Sequence, residues 1–225
     1  MQKFLNIQGL GERIQVNNIY CIGKNYLDHI KEFANPEVPK TPVVFCKPNT
    51  ALLNYGETVS IPEINGKQMS ENMQNEVEIV VVIGKDGYKI PEADAEKHIL
   101  GYAIGMDLTL RDLQATAKEK GLPWTVAKGF YTSAPVSDIV LKENIKDIQN
   151  IEFGLDINGN RKQFTNSNLM IFKINYLVSY LSNIFYLSKG DLIFTGTPEG
   201  ISKLNSGDKL KAYLSDLVSL EVNVK

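Results

Sequence analysis

The chain has 225 residues, with 24 Lys and Arg against 26 Asp and Glu, and is 43% hydrophobic and 22% charged. A net charge of -2 offers no cationic footprint for a nucleic-acid backbone. The hydrophobic content, 17 Gly and 9 Pro exclude disordered, collagen-like and disulfide-scaffold classes, leaving a globular chain of one domain or one domain with a small appendage.

The first 15 residues, MQKFLNIQGLGERIQ, contain no apolar run ahead of a small-residue cleavage site. They do not read as a secretory signal, so a cytoplasmic location is expected. Residues 25–33 read as a helix in which His29 and Glu32 stand three apart and share a face. A carboxylate beside an imidazole fixes its tautomer and raises its basicity, as a general base requires, although an incidental surface pair has the same spacing. Residues 43–46 read as a strand. Its Cys46, like Cys21, lies among apolar residues, the setting of a free buried thiol, and neither belongs to a Cys-x-x-Cys metal pattern.

After a turn at Gly66, Glu76-Val-Glu78 opens a strand over 77–83 that closes at Gly84 and Asp86-Gly87. Residues two apart on a strand face the same way, so Glu76 and Glu78 repel each other unless a cation or solvent separates them. His98, in a polar stretch, reads as a structural or surface residue. Asp107 follows the apolar run 101–106 and precedes a helix expected over 108–120. Three carboxylates with open positions suit a hard ion such as Mg²⁺ or Mn²⁺. The spacing equally fits two solvent-facing glutamates and an aspartate that caps the helix.

Strands are expected over 151–157, 192–195, 209–213 and 218–224, with a hairpin at Asn158-Gly159 and a turn at Ser206-Gly207-Asp208. The apolar run 169–187 is long enough to suggest a membrane span, but Lys173, Asn175, Ser179, Ser182 and Asn183 interrupt it. It reads instead as a buried helix, started by Asn166-Ser167-Asn168 and stopped by Lys189-Gly190. The loop Thr195-Gly-Thr197-Pro-Glu-Gly200 can present backbone N–H groups and a hydroxyl to an anion, or be a plain tight turn. No dinucleotide fingerprint, P-loop, nucleophile elbow or His-Glu-x-x-His motif occurs. These elements describe a mixed, β-rich α+β fold with few helices.

Several segments together resemble the fumarylacetoacetate hydrolase family: Ile22-Gly-Lys-Asn-Tyr-Leu-Asp-His29-Ile-Lys-Glu32, Phe45-Cys-Lys47-Pro48, Asn75-Glu76-Val-Glu78, Asp107-Leu-Thr-Leu-Arg111-Asp-Leu-Gln114, Lys128-Gly-Phe and Gly190-Asp-Leu-Ile-Phe-Thr-Gly-Thr197-Pro-Glu-Gly200. The stretch 120–128 and Pro135-Val-Ser137 further resemble its short subgroup of acylpyruvate hydrolases and oxaloacetate decarboxylases. The resemblance implies one catalytic domain over 1–225 of the fumarylacetoacetase C-terminal β-roll type, with residues 1–18 packed onto it, and a homodimer. It implies Glu76, Glu78 and Asp107 as ligands to Mg²⁺, with Mn²⁺ accepted. His29 and Glu32 become a dyad on a lid segment, Lys128 a catalytic cation, and Arg111, Gln114, Thr197 and Lys47 substrate contacts. The expected reaction is C–C cleavage of a small 2-oxo acid, by acylpyruvate hydrolysis or oxaloacetate decarboxylation through a metal-stabilised pyruvate enolate. Isomerisation or decarboxylation of hydroxymuconate-type acids, and a silent metal- or acid-binding protein, are the competing expectations. Gln74-Asn75 stand where the family often has a histidine, which weakens any argument for a supporting residue there, and Lys24 replaces a frequent arginine that would make a bidentate carboxylate contact.

Overall fold

The computed structural model describes residues 2–32, 36–53 and 57–225. Among the described residues a six-stranded and a five-stranded sheet, with four two-stranded ones and a few short helices, enclose the core, as expected of a β-rich α+β fold. The larger sheet has six strands in the order Val140–Leu141, Ile99–Met106, Val77–Ile83, Leu192–Phe194, Ile19–Gly23 and Val43–Lys47. All its pairings are antiparallel except that of Leu192–Phe194 with Ile19–Gly23. The second sheet has five strands, ordered Asn160–Asn166, Glu152–Ile157, Lys209–Leu214, Val218–Val224 and Thr58–Val59.

Every residue of Val77–Ile83 is buried, which explains its unbroken apolar run. Ile79, Val81 and Ile83 face a core shared with the second sheet and the helix α4, Ile174–Ile184. Val80 and Val82 face a smaller core closed by Leu5, Ile7, Ile14 and Val16 of an N-terminal hairpin.

The helices are shorter than their sequence patterns, for tertiary reasons. Within the run 169–187, Ile171 and Phe172 donate their backbone N–H groups to the main-chain and side-chain oxygens of Asn25, which delays helix α4. Its far end is cut short because Leu187 exchanges backbone hydrogen bonds with Gly87. Thr109–Leu110 pairs with Met73–Gln74, so the helix expected from 108 starts later, as α2, Arg111–Lys120. It ends at Gly121, whose left-handed φ of 64° forms the cap. Helix α1 covers only Leu27–Lys31, and Phe33, where the expected helix ended, lies outside the described residues.

The hairpin at Asn158-Gly159 forms as expected, with positive φ at both residues. Cys21 is buried, whereas Cys46 is exposed because its strand is the sheet edge; both thiols are free. His98 keeps to a structural place, its Nδ1 3.0 Å from the Lys85 carbonyl. Among the described residues no helix is long and apolar enough to cross a membrane.

Candidate active site

The three carboxylates converge because of strand register. Val77 pairs with Met106 and Glu78 with Gly105, so Asp107 emerges opposite Glu76 and donates its backbone N–H to the Glu76 carbonyl at 2.8 Å. One oxygen from each of Glu76, Glu78 and Asp107 falls in a group spanning no more than 4.8 Å, and all three residues are buried. Leu110, not Asp107, occupies the position before helix α2, which removes the helix-cap alternative. Burial, and then the negative charges of Asp107 and Glu76, push the Glu78 carboxyl well above its usual range; a 2.6 Å bond from Gly196 N–H opposes this. Such a buried, mutually repelling, all-oxygen set fits a hard divalent cation.

Cations hold the remaining faces of the cluster. Lys128, at the end of the short helix α3, Thr125–Lys128, places its ammonium 2.7 Å from Glu76 Oε2 and 2.6 Å from Asp107 Oδ2. Arg111 donates through Nη2 to Glu76 Oε1, through Nη1 to Gln114 Oε1 at 2.6 Å, and through Nε to Gln74 Oε1 at 2.8 Å. Burial acts to raise the Glu76 carboxyl, but Lys128 and Arg111 outweigh it and hold the group well below the carboxylate range. Lys47 stands behind the cluster, 2.7 Å from Asp107 Oδ1 and 3.1 Å from Ser133 Oγ, where it braces Asp107. It is not among the residues that line the cavity over the carboxylates, and its contacts run to Asp107 and to groups behind it.

The cavity over the carboxylates is lined by His29, Arg111, Gln114, Lys128 and Thr197, with Lys24, Lys118, Phe45 and Trp124 around them. Lys24 holds a left-handed φ of 58°, an uncommon conformation for a side-chain-bearing residue. Partial burial, and then the charges of Arg111 and Lys128, bring the Lys118 ammonium down to about 8. More cations than carboxylates line the cavity, which suits an anionic ligand.

His29 is buried and its Nδ1 lies 2.7 Å from Glu32 Oε2. The bond to a carboxylate assigns the proton to Nδ1. Glu32 Oε1 accepts from Gly200 N–H at 2.9 Å. The loop 195–200 thus presents N–H groups to the protein's own carboxyl groups, those of Glu78 and Glu32.

The residues before Glu76 do provide support, contrary to the expectation from the missing histidine. Gln74 orients Arg111, and Asn75 bonds Gln163 at 2.8 Å and Ser202 Oγ at 2.8 Å. Gln163 escaped sequence reasoning altogether. Its only local signal is a polar residue at the single fully buried position of the strand Asn160–Asn166.

Comparison with known proteins agrees with this geometry. The family model described as fumarylacetoacetate (FAA) hydrolase C-terminal matches residues 18–225. Mouse (Mus musculus) oxaloacetate tautomerase FAHD1, mitochondrial, is 43% identical over 208 residues, covering 92% of this chain and 91% of that protein. The Arabidopsis thaliana protein of the same name is 42% identical over 211 residues, with 94% and 92% covered. A crystal structure of fumarylpyruvate hydrolase from Pseudomonas aeruginosa in complex with Mn²⁺ and pyruvate superposes with a TM-score of 0.91 at 34% identity, covering 99% of this chain and 95% of that one. The 5-carboxymethyl-2-hydroxymuconate delta-isomerase of Mycobacterium smegmatis superposes at 0.81 with 30% identity, covering 96% and 83%.

Proposed function

The chain belongs to the fumarylacetoacetate hydrolase family, and on that footing we propose that it cleaves a C–C bond in a small 2-oxo acid, by acylpyruvate hydrolysis or oxaloacetate decarboxylation. The observation that carries this reading is the meeting, on one cavity, of the carboxylate cluster and the His29–Glu32 pair. Glu76, Glu78 and Asp107 would hold Mg²⁺ or Mn²⁺, which when bound would supply Lewis-acid charge to the oxygens of a 2-oxo acid. Mn²⁺ with pyruvate in the Pseudomonas hydrolase supports the pairing of such an ion with a 2-oxo acid.

Arg111 and Lys128 line the cavity beside Glu76, where the oxygens of a 2-oxo acid would reach them. Both cations then face the anionic oxygens of the substrate. Lys128 adds positive charge where the electron pair of the breaking bond collects. In acylpyruvate hydrolysis, His29 Nε2 takes a proton from the water that attacks the distal carbonyl, while Glu32 holds Nδ1–H and stabilises the imidazolium. In oxaloacetate decarboxylation, CO₂ departs with no attacking water. A second reading, keto–enol tautomerisation of oxaloacetate, is favoured by the names of the relatives at 42–43% identity. There His29 moves the proton and no C–C bond breaks.

Turnover of acetylpyruvate, fumarylpyruvate and oxaloacetate, with the oxaloacetate enol followed separately, distinguishes these reactions. Chelation should abolish whichever activity is present and Mg²⁺ or Mn²⁺ should restore it; full activity after metal stripping would overturn the proposal. His29→Ala should retain the ion and slow hydrolysis by ~10²–10⁴-fold, while leaving decarboxylation less affected. The proposal includes a cytoplasmic homodimer, which cell fractionation and light scattering of the purified protein check.

A further inference from the structure

We propose that Gln163 is a positioning residue that turns the Thr197 hydroxyl into an obligate donor toward the anionic oxygen of a bound ligand. The orientation of the Gln163 amide follows from its partners. Val77 N–H, 2.9 Å away, can only donate, so the Gln163 atom facing it is Oε1. The Pro198 carbonyl, 2.9 Å away, can only accept, so the atom facing it is Nε2. Nε2 therefore also donates to Thr197 Oγ1 at 2.9 Å, and Oε1 accepts from Asn75 Nδ2 at 2.8 Å.

Two consequences follow. Asn75 and Val77, on either side of Glu76, are tied to one side-chain oxygen, which fixes the backbone that carries that carboxylate. On the other side, Thr197 Oγ1 spends a lone pair on Gln163, and its O–H makes no hydrogen bond to a protein group among the described residues. Thr197 is only 3% exposed and lines the cavity, so its proton is directed to what occupies that cavity. An acceptor-only ligand such as a carboxylate satisfies it. Methionine at 163 would release this constraint, because no N–H would then hold the Oγ1 lone pair.

This assignment rests on the 2-oxo acid reading above, and its test is a binding measurement that needs no turnover. Oxalate binding to the Mn²⁺-saturated protein is measured by calorimetry for the wild type, Q163M, T197V, T197S and the Q163M/T197V double variant. T197V should weaken oxalate roughly ten- to a hundredfold in the wild-type background, the loss expected for one hydrogen bond to a charged group. In the Q163M background it should cost less than about twofold, because the donor is already misdirected. T197S should bind like the wild type. Equal losses from T197V in both backgrounds, or wild-type affinity in Q163M, would overturn the assignment. A purely structural glutamine would lower the melting temperature of Q163M and leave oxalate affinity unchanged. Should Q163M fail to fold, Q163E, which is nearly isosteric and still accepts from Asn75 and Val77, carries the same cycle. Failure of the Mn²⁺-loaded wild type to bind oxalate would sink the function reading itself, and the ligand donor with it.

Discussion

Glu78 carries the clearest electrostatic consequence of the site, because its burial beside two other carboxylates favours the protonated form. Ion binding needs the carboxylate, so binding must expel a proton. Affinity for Mg²⁺ or Mn²⁺ should therefore rise with pH until Glu78 has ionised in the metal-free protein, then level off. Calorimetry in buffers of different ionisation enthalpy should detect proton release, and Glu78→Gln should remove both the release and most of the affinity. For stability the sign is opposite: a carboxyl raised in the folded state favours folding at low pH, and this contribution fades as pH climbs from the unfolded value through the folded one. Glu76 works the other way, since Lys128 and Arg111 lower it and its contribution disappears on acidification. Residue types at this scale were legible in the sequence wherever the partners are local. His29 and Glu32 stand three apart on a helix, and their 2.7 Å contact follows from that spacing. Gln163 was not legible, because its partners Val77 and Thr197 lie 86 and 34 positions away.

At the scale of elements, the loop 195–200 joins the two halves of the site. Gly200 is required there: its φ is +96°, and a Cβ would come within 2.1 Å of the Lys162 carbonyl oxygen on the strand Asn160–Asn166. Gly200→Ala should push the loop off that strand, break the N–H bond to Glu32 and lower both melting temperature and activity. Gly159 also has positive φ, +78°, but open space around its Cβ position. Gly159→Ala should cost only about 1–3 kcal/mol of backbone strain and leave activity intact. Thermal denaturation and steady-state rates of the two variants separate close packing from strain alone. Elements were legible where their pattern is local, as in the Asn158-Gly159 hairpin. Helices start later than their sequence patterns where Asn25 and the strand Met73–Gln74 capture backbone groups that a helix would otherwise use.

Across the whole molecule, the six-stranded sheet is the frame on which the site depends. Phe194 is fully buried on a central strand, and it packs with Val80 and Val82 in the smaller core beneath the N-terminal hairpin. Phe194→Ala should lower unfolding free energy by about 3–5 kcal/mol, as measured by urea denaturation of the metal-free protein at fixed pH. The amino-acid sequence already carries the β-rich class, the family, the chemical types of the candidate site residues and the spacing of His29 and Glu32. These depend on composition, short periodicities and motifs. Folding alone makes Asp107 face Glu76 across two strands, sets Lys47 against Asp107, and lets Gln163 tie the backbone at Val77 to Thr197. Register and the contacts between distant segments decide those arrangements, because a buried polar group takes its partners from whichever segments packing brings beside it.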